Sequence, residues 1–177
     1  MAHPFDSPEG HARLRAWLAN ENPEEFSYAH SATAALPFID EPARTGLLEL
    51  AFRHADSGVR LEAAWAAAKV GRADGLERLV NACRDLKTAS VAAQYLTELG
   101  REDAIPETEP GFQALAEFAQ WCAHPNELGR MPDHLEILDE RMLAWPPSRE
   151  AKPFWLIQYT ARDLTGLEDD DVDAGLV

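Results

Sequence analysis

Histidines are the residues here with the widest chemical range, since an imidazole can bind a metal or move a proton. The chain has six, at positions 3, 11, 30, 54, 124 and 134. His30 and His54 fall in helices that are expected to pair, where they could begin a metal site. A protein metal site usually needs about three or four ligands. We therefore interpret both as ordinary, partly exposed helix histidines and expect no metal.

Other patterns that could do chemistry are incomplete. Asp169, Asp171 and Asp173 alternate like the start of a calcium loop, but Ala174 stands where a glycine is needed and no closing Glu follows. The serines lie in no nucleophile elbow, and no glycine-rich phosphate loop is present. The sequence thus predicts no catalytic residue, no cofactor and no metal site.

An aromatic cluster near the C-terminus is the best candidate for partner binding. Its members are Trp145, Phe154, Trp155 and Tyr159, accompanied by Pro146, Pro147 and Pro153. Aromatic residues and prolines together can form a binding groove. A second interpretation, which we favour, is that a small β element needs large side chains to make its own core.

The elements that carry this cluster are predicted to be strands. Residues 154–160 are rich in aromatic and β-branched side chains and too short for a good helix. Residues 135–145 fit either helical spacing or short strands. Because a lone strand needs a partner, we favour a strand for part of this segment.

A repeat organises the centre of the chain, from residue 57 to residue 106. Gly71 and Gly100 lie 29 residues apart, and each closes an alanine-rich apolar run. Self-similarity at this period is typical of a solenoid. The first helix of the unit, residues 59–70, is apolar on two sides, which predicts a helix packed between neighbours. The second helix, residues 75–86, has a single apolar stripe and is expected to show its other side to water.

These segments, VRLEAAWAAAKVGRADGLERL and SVAAQYLTELGREDAIP, resemble short bacterial HEAT-like repeats of the phycobilisome-lyase type. In such repeats a Val-Arg-x-x-Ala-Ala first helix ends in glycine, and an Ala-Ile-Pro opening starts the second helix. The resemblance covers roughly residues 56–106, is weaker over 24–55, and does not reach the C-terminal third. It implies a right-handed α–α superhelix that presents a surface to another protein. It implies little about activity, because fold does not fix function.

The charge balance limits the partners. The chain carries 31 acidic and 16 basic residues, a formal net charge of −15. Binding a nucleic-acid backbone or an anionic membrane needs a basic face, so both are disfavoured. A basic protein is the favoured partner, although an acidic surface also simply keeps a protein in solution.

The cellular compartment is predicted from the cysteines and from the absence of targeting signals. Cys83 and Cys122 lie on apolar helix stripes and are interpreted as reduced, buried thiols. No apolar run reaches the length of a membrane span, and the N-terminus does not resemble a signal peptide. We therefore expect a cytoplasmic protein.

We expect a mainly α fold with two domains. Residues 1–126 form a HEAT-like repeat domain, and residues 127–177 form a small β-containing element. The apolar ending after an acidic run indicates a short final strand or a domain that extends further. The expected function is a non-enzymatic protein-interaction or scaffold module. The alternatives are a lyase-type enzyme or accessory acting on a protein-bound prosthetic group, and a regulatory domain of a catalytic partner.

Overall fold

A computed structural model describes residues 4–145 and 148–161 of the chain, together with the backbone of residues 171–176. Seven α-helices in this described part precede a three-stranded antiparallel sheet. The helices are α1 Pro8–Leu18, α2 Phe26–Ala35, α3 Ala43–Ala51, α4 Ser57–Lys69, α5 Ala73–Ala82, α6 Ala89–Glu98 and α7 Phe112–Cys122. The prediction of a mainly helical fold with a small C-terminal sheet is confirmed.

The chain divides into two compact units. One comprises Met1–Arg84 and Val91–Pro106, and the other comprises Asp85–Ser90 and Glu107–Val177. α7 belongs to the second unit together with the strands. The division at residue 126 that the sequence suggested stays a prediction.

Side-chain caps begin two of the helices. The Ser7 hydroxyl accepts a hydrogen bond from the Gly10 amide at 3.1 Å and starts α1. A carboxylate oxygen of Asp56 accepts the Val59 amide at 2.9 Å and starts α4. Each cap satisfies an amide that has no partner inside the helix. Asn22 also caps, but it opens a short 3-10 helix, Pro23–Glu25, that leads into α2.

α4 is the central helix of the first unit. It packs against α2, α3 and α5. Val59, Ala63, Ala66 and Ala67 have no exposed surface, and Trp65 is buried on another side. The predicted burial on two sides is confirmed. Small alanine side chains allow this, because they let neighbouring helices approach closely.

The turns that follow α4 and α6 repeat each other. Gly71 and Gly100 both adopt the left-handed conformation, with φ of 84° and 66°. After the first glycine, the Arg72 amide donates to the Ala67 carbonyl at 3.0 Å. The equivalent bond 29 residues later joins Arg101 to Leu96 at 2.8 Å. Both helices thus end in the same glycine-dependent cap.

The same two turns also share a side-chain bridge. The Arg72 guanidinium donates to both carboxylate oxygens of Asp74, at 3.0 and 2.6 Å. Arg101 and Asp103 form the equivalent pair at 3.0 and 3.2 Å. This hydrogen bond to arginine lowers the pKa of each carboxyl below its usual value.

After the second turn the regular pattern stops. The resemblance implied that Ala104, Ile105 and Pro106 would open a second helix. A 3-10 helix, Glu102–Ala104, stands there instead, and the next α-helix begins only at Phe112. Pro110 and the left-handed Gly111 separate the two elements.

The sheet has the strand order β1-β2-β3. β1 spans His134–Ala144, β2 spans Ala151–Ala161 and β3 spans Asp171–Leu176. The strand predicted at 154–160 and the strand favoured for part of 135–145 are therefore confirmed. Leu138 is an extra residue in β1, because the register shifts between Ile137 and Asp139. Such a bulge bends the strand and increases its twist.

α7 and the sheet share a small core. Phe118 and Cys122 of α7 and Ile157 of β2 are its buried members. Cys122 and Cys83 are both buried, as predicted, and both are free thiols. Burial raises the pKa of each thiol, which keeps it protonated and unreactive.

Within the residues described, no helix combines the length and the apolar character that crossing a membrane requires.

Candidate interaction surface on the C-terminal sheet

The predicted aromatic cluster is divided between the two faces of the sheet. Trp155 and Tyr159 pack against the core shared with α7, and the Tyr159 ring lies 5.5 Å from that of Phe118. Phe154 and Trp145 stack on each other instead, with ring centroids 5.9 Å apart. Successive side chains of a strand point to opposite faces, which explains the division. Trp155 and Tyr159 therefore pack on the small core, and Phe154 and Trp145 lie on the opposite face, where partner binding stays a prediction.

The sheet face that carries Phe154 forms an open groove. The register pairs Arg141 with Phe154, Asp139 with Leu156, and Leu143 with Lys152. The groove has a volume of about 350 Å³, and its lining residues are Asp139, Arg141, Leu143, Phe154 and Leu156. A cavity of this size is within the range of ligand and peptide sites. We call it the hairpin groove.

A single ion pair supplies the charges inside the hairpin groove. Arg141 Nε donates to Asp139 Oδ2 at 2.7 Å, and Asp139 Oδ1 accepts the Glu140 amide at 3.0 Å. The Arg141 side chain is 74% exposed. An exposed pair of this kind adds little stability. Because the two charges of this ion pair cancel, the groove is close to neutral, and its other lining residues are apolar.

The other end of the hairpin groove is aromatic. The Trp145 amide donates to the Glu150 carbonyl at 2.8 Å, which fixes the end of the hairpin. The Trp145 ring stacks on Phe154, and the Lys152 ammonium lies 5.9 Å from its centre. Trp145 remains 41% exposed. An indole held in place but open to water is a typical anchor for a binding partner.

Sequence reasoning missed the residues that complete the hairpin groove. These are Asp139, Arg141 and Leu143 on β1 and Leu156 on β2, none of which was a candidate. The alternation of side chains along each strand can be seen in the sequence. Which of the two faces is exposed depends on the register between the strands. That register includes a bulge at Leu138, which shifts every β1 residue after it to the opposite face.

The two histidines singled out earlier are structural. His30 Nε2 lies 3.1 Å from Asp56 Oδ1, and His54 Nδ1 accepts the Asp56 amide at 3.1 Å. Both rings are therefore tied to the residue that caps α4. In the described ranges no group of three or more His, Cys, Asp or Glu side chains could hold a metal ion. The side chains of the alternating aspartates at 169, 171 and 173 lie outside the described residues.

A half-buried polar pair in the first unit also has a structural role. The Tyr95 hydroxyl donates to the Glu62 carboxylate, and the Tyr95 ring packs 5.8 Å from that of Trp65. Burial, followed by the hydrogen bond to Glu62, raises the pKa of Tyr95. The phenol thus stays protonated and acts as a hydrogen-bond donor.

A second aromatic group lies in the first unit and was also missed. The Trp17 ring stacks on Tyr28 at 5.7 Å and meets Phe5 edge-on at 5.6 Å. Tyr28 is largely exposed. These rings come from different helices and turns, so their sequence positions gave no sign of contact.

The chain matches no protein-family model, no curated protein and no solved structure.

Proposed function

We propose that this chain is a non-enzymatic protein–protein interaction or scaffold module. The observation that carries the proposal is the hairpin groove, where Leu143, Phe154 and Leu156 form an apolar surface open to solvent and Trp145 stacks on Phe154 beside it. Exposed apolar surface of this kind costs solubility, so a folded protein that keeps it usually uses it for binding. Of these four residues, Trp145 and Phe154 were candidates for partner binding on sequence grounds.

The helices of this module form a short right-handed superhelix of about three HEAT-like pairs. The repeated turns at Gly71 and Gly100 support this arrangement, as does the burial of α4 on two sides. In this proposal the repeat domain spans residues 1–126 and the sheet element spans 127–177. The repeat domain offers a second surface for a partner.

The partner is a protein with a basic surface. A formal charge of −15 attracts basic proteins and repels the phosphates of nucleic acid and anionic membranes. Two buried free cysteines suit a reducing compartment, which supports a cytoplasmic location.

The alternative is a lyase-type enzyme or accessory acting on a protein-bound prosthetic group. Such a protein needs a deep apolar pocket with a few convergent polar groups. The hairpin groove is open on one side, and its polar groups, Arg141 and Asp139, bond to each other. This geometry favours the interaction module.

Affinity purification from the native lysate tests the proposal, with mass spectrometry of the captured proteins at low and moderate salt. The baits are the wild type, a Leu143→Ser/Phe154→Ser variant of the hairpin groove, and a Tyr28→Ser control in the first unit. We expect one basic protein to be enriched by the wild type and the control and lost with the groove variant. Its binding should weaken as salt rises.

Two other results would count against the proposal. A partner retained by the groove variant would remove the hairpin groove from its interface. A bait that returns coloured or loaded with a small molecule, without a protein partner, would favour the lyase-type alternative.

A further inference from the structure

β1 is a long edge strand with an open side. In the described sheet it is 11 residues long, and all of them except Leu138 pair with β2 alone. Residues 140–145 are all exposed, and Met142 reaches 61% exposure. Exposed edge strands of this length are templates for another strand unless something blocks them.

The backbone groups that face the open side follow from the hairpin register. The hydrogen bond from the Trp145 amide to the Glu150 carbonyl determines which residues of β1 bond to β2 and which direct their backbone groups away from it. Leu143 and Arg141 then bond to β2, whereas Ala144 and Met142 direct their amides and carbonyls to the open side. Pro153 stands opposite Met142, at a position where the ladder between β1 and β2 needs no amide donor.

The structure blocks one end of this edge and leaves the other open. Asp139 Oδ1 accepts the Glu140 amide, so that donor is already used, and the bulge at Leu138 distorts the strand beside it. Charges and bulges are the usual protection of an edge strand. From Met142 to Ala144, β1 has neither a charged side chain nor a bulge.

The charges beside the open edge are mainly acidic. Glu136 and Glu140 are exposed, and Arg141 is paired with Asp139. A second copy of this chain would bring the same carboxylates and a further net charge of −15 to the edge. Charge complementarity therefore selects a basic strand over a second copy.

We propose that β1 binds an extended segment of a partner protein by strand addition, through the backbone of Met142 and Ala144. The segment alternates lysine or arginine with apolar residues. Its basic side chains lie on the face of Glu140 and Met142. Its apolar side chains lie on the opposite face, where they extend the hairpin groove beside Leu143. The proposal rests on the proposed interaction function and specifies the partner's chemistry.

Amide hydrogen exchange on the full chain tests the proposal directly. The probe is a synthetic peptide of about eight residues in which lysine alternates with valine, a length that matches a typical strand. We expect the amides of Met142 and Ala144 to exchange freely without peptide and to become protected with it. The amides of Arg141 and Leu143 serve as internal controls, because they already bond to β2.

Two variants separate backbone pairing from side-chain contact. Met142→Pro removes the outward amide without touching the ladder to β2, and Met142→Ala keeps that amide. We expect Met142→Pro to weaken peptide binding by about tenfold or more and Met142→Ala to change it by only a few fold. Circular dichroism checks that both variants keep the wild-type fold. A peptide with glutamate in place of lysine should not bind.

Three results would overturn the inference. They are a bound peptide that leaves the Met142 and Ala144 amides unprotected, equal binding of the glutamate peptide, and self-association of the chain through this edge in sedimentation. The proposed function is judged separately. A basic partner that requires Leu143 and Phe154 but still binds Met142→Pro would leave the interaction module intact and remove strand addition alone.

Discussion

At the residue scale, Trp65 is the side chain whose removal should matter most. It is 8% exposed, lies against Tyr95, and carries the Lys69 ammonium 4.3 Å above its ring. Trp65→Ala should lower the free energy of unfolding by about 3–5 kcal/mol, because it leaves a large cavity. Urea unfolding followed by circular dichroism measures this loss.

The matched control uses the same residue type on the surface. Trp121 is 54% exposed, and its truncation removes one tilted ring contact with Phe118. Trp121→Ala should cost at most about 1.5 kcal/mol. Equal losses for the two variants would contradict the position of Trp65 in the helical core.

At the element scale, the repeated helix ends depend on glycine. A Cβ added at Gly71 or Gly100 would meet no atom within 4 Å, so a substitution there is strained by its positive φ alone. Gly71→Ala and Gly100→Ala should each reduce the free energy of unfolding by about 1–2 kcal/mol. Similar losses at both positions, measured by urea unfolding, are expected because the two turns have the same hydrogen bonds.

Gly46 is the control for that series, since it lies inside α3 with ordinary helical geometry. An added Cβ there would contact only the end of the Arg15 side chain, at 3.7 Å. Gly46→Ala should stabilise the protein by about 0.5–1 kcal/mol. If Gly71→Ala were also stabilising, the left-handed cap after α4 would be refuted.

At the scale of the whole molecule, charge repulsion opposes folding. Thirty-one acidic residues against 16 basic ones leave a formal charge of −15. Salt screens this repulsion, and exposed ion pairs such as Arg101 with Asp103 offset it only slightly. The thermal midpoint should therefore rise by a few degrees between about 10 mM and 0.5 M sodium chloride. A midpoint that fell with salt would mean that the ion pairs outweigh the repulsion.

Features that depend on residues close together in the chain could be predicted from the sequence. Caps at Ser7 and Asp56, the glycine ends at Gly71 and Gly100, and the apolar surface of α4 each depend on neighbouring residues. The strand at residues 154–160 could be predicted from the sequence for the same reason. Local hydrogen bonds and side-chain shape decide such features before any tertiary contact forms.

The way in which these elements combine into a candidate site depends on the tertiary structure. The bulge at Leu138 sets which β1 residues face the hairpin groove, and α7 covers the opposite face of the sheet. Trp155 and Tyr159 became core residues, whereas Phe154 and Trp145 remained open to a partner. The physical reason is that strand register and helix docking depend on contacts between residues distant in sequence, and a shift of one residue exchanges the two faces of a strand.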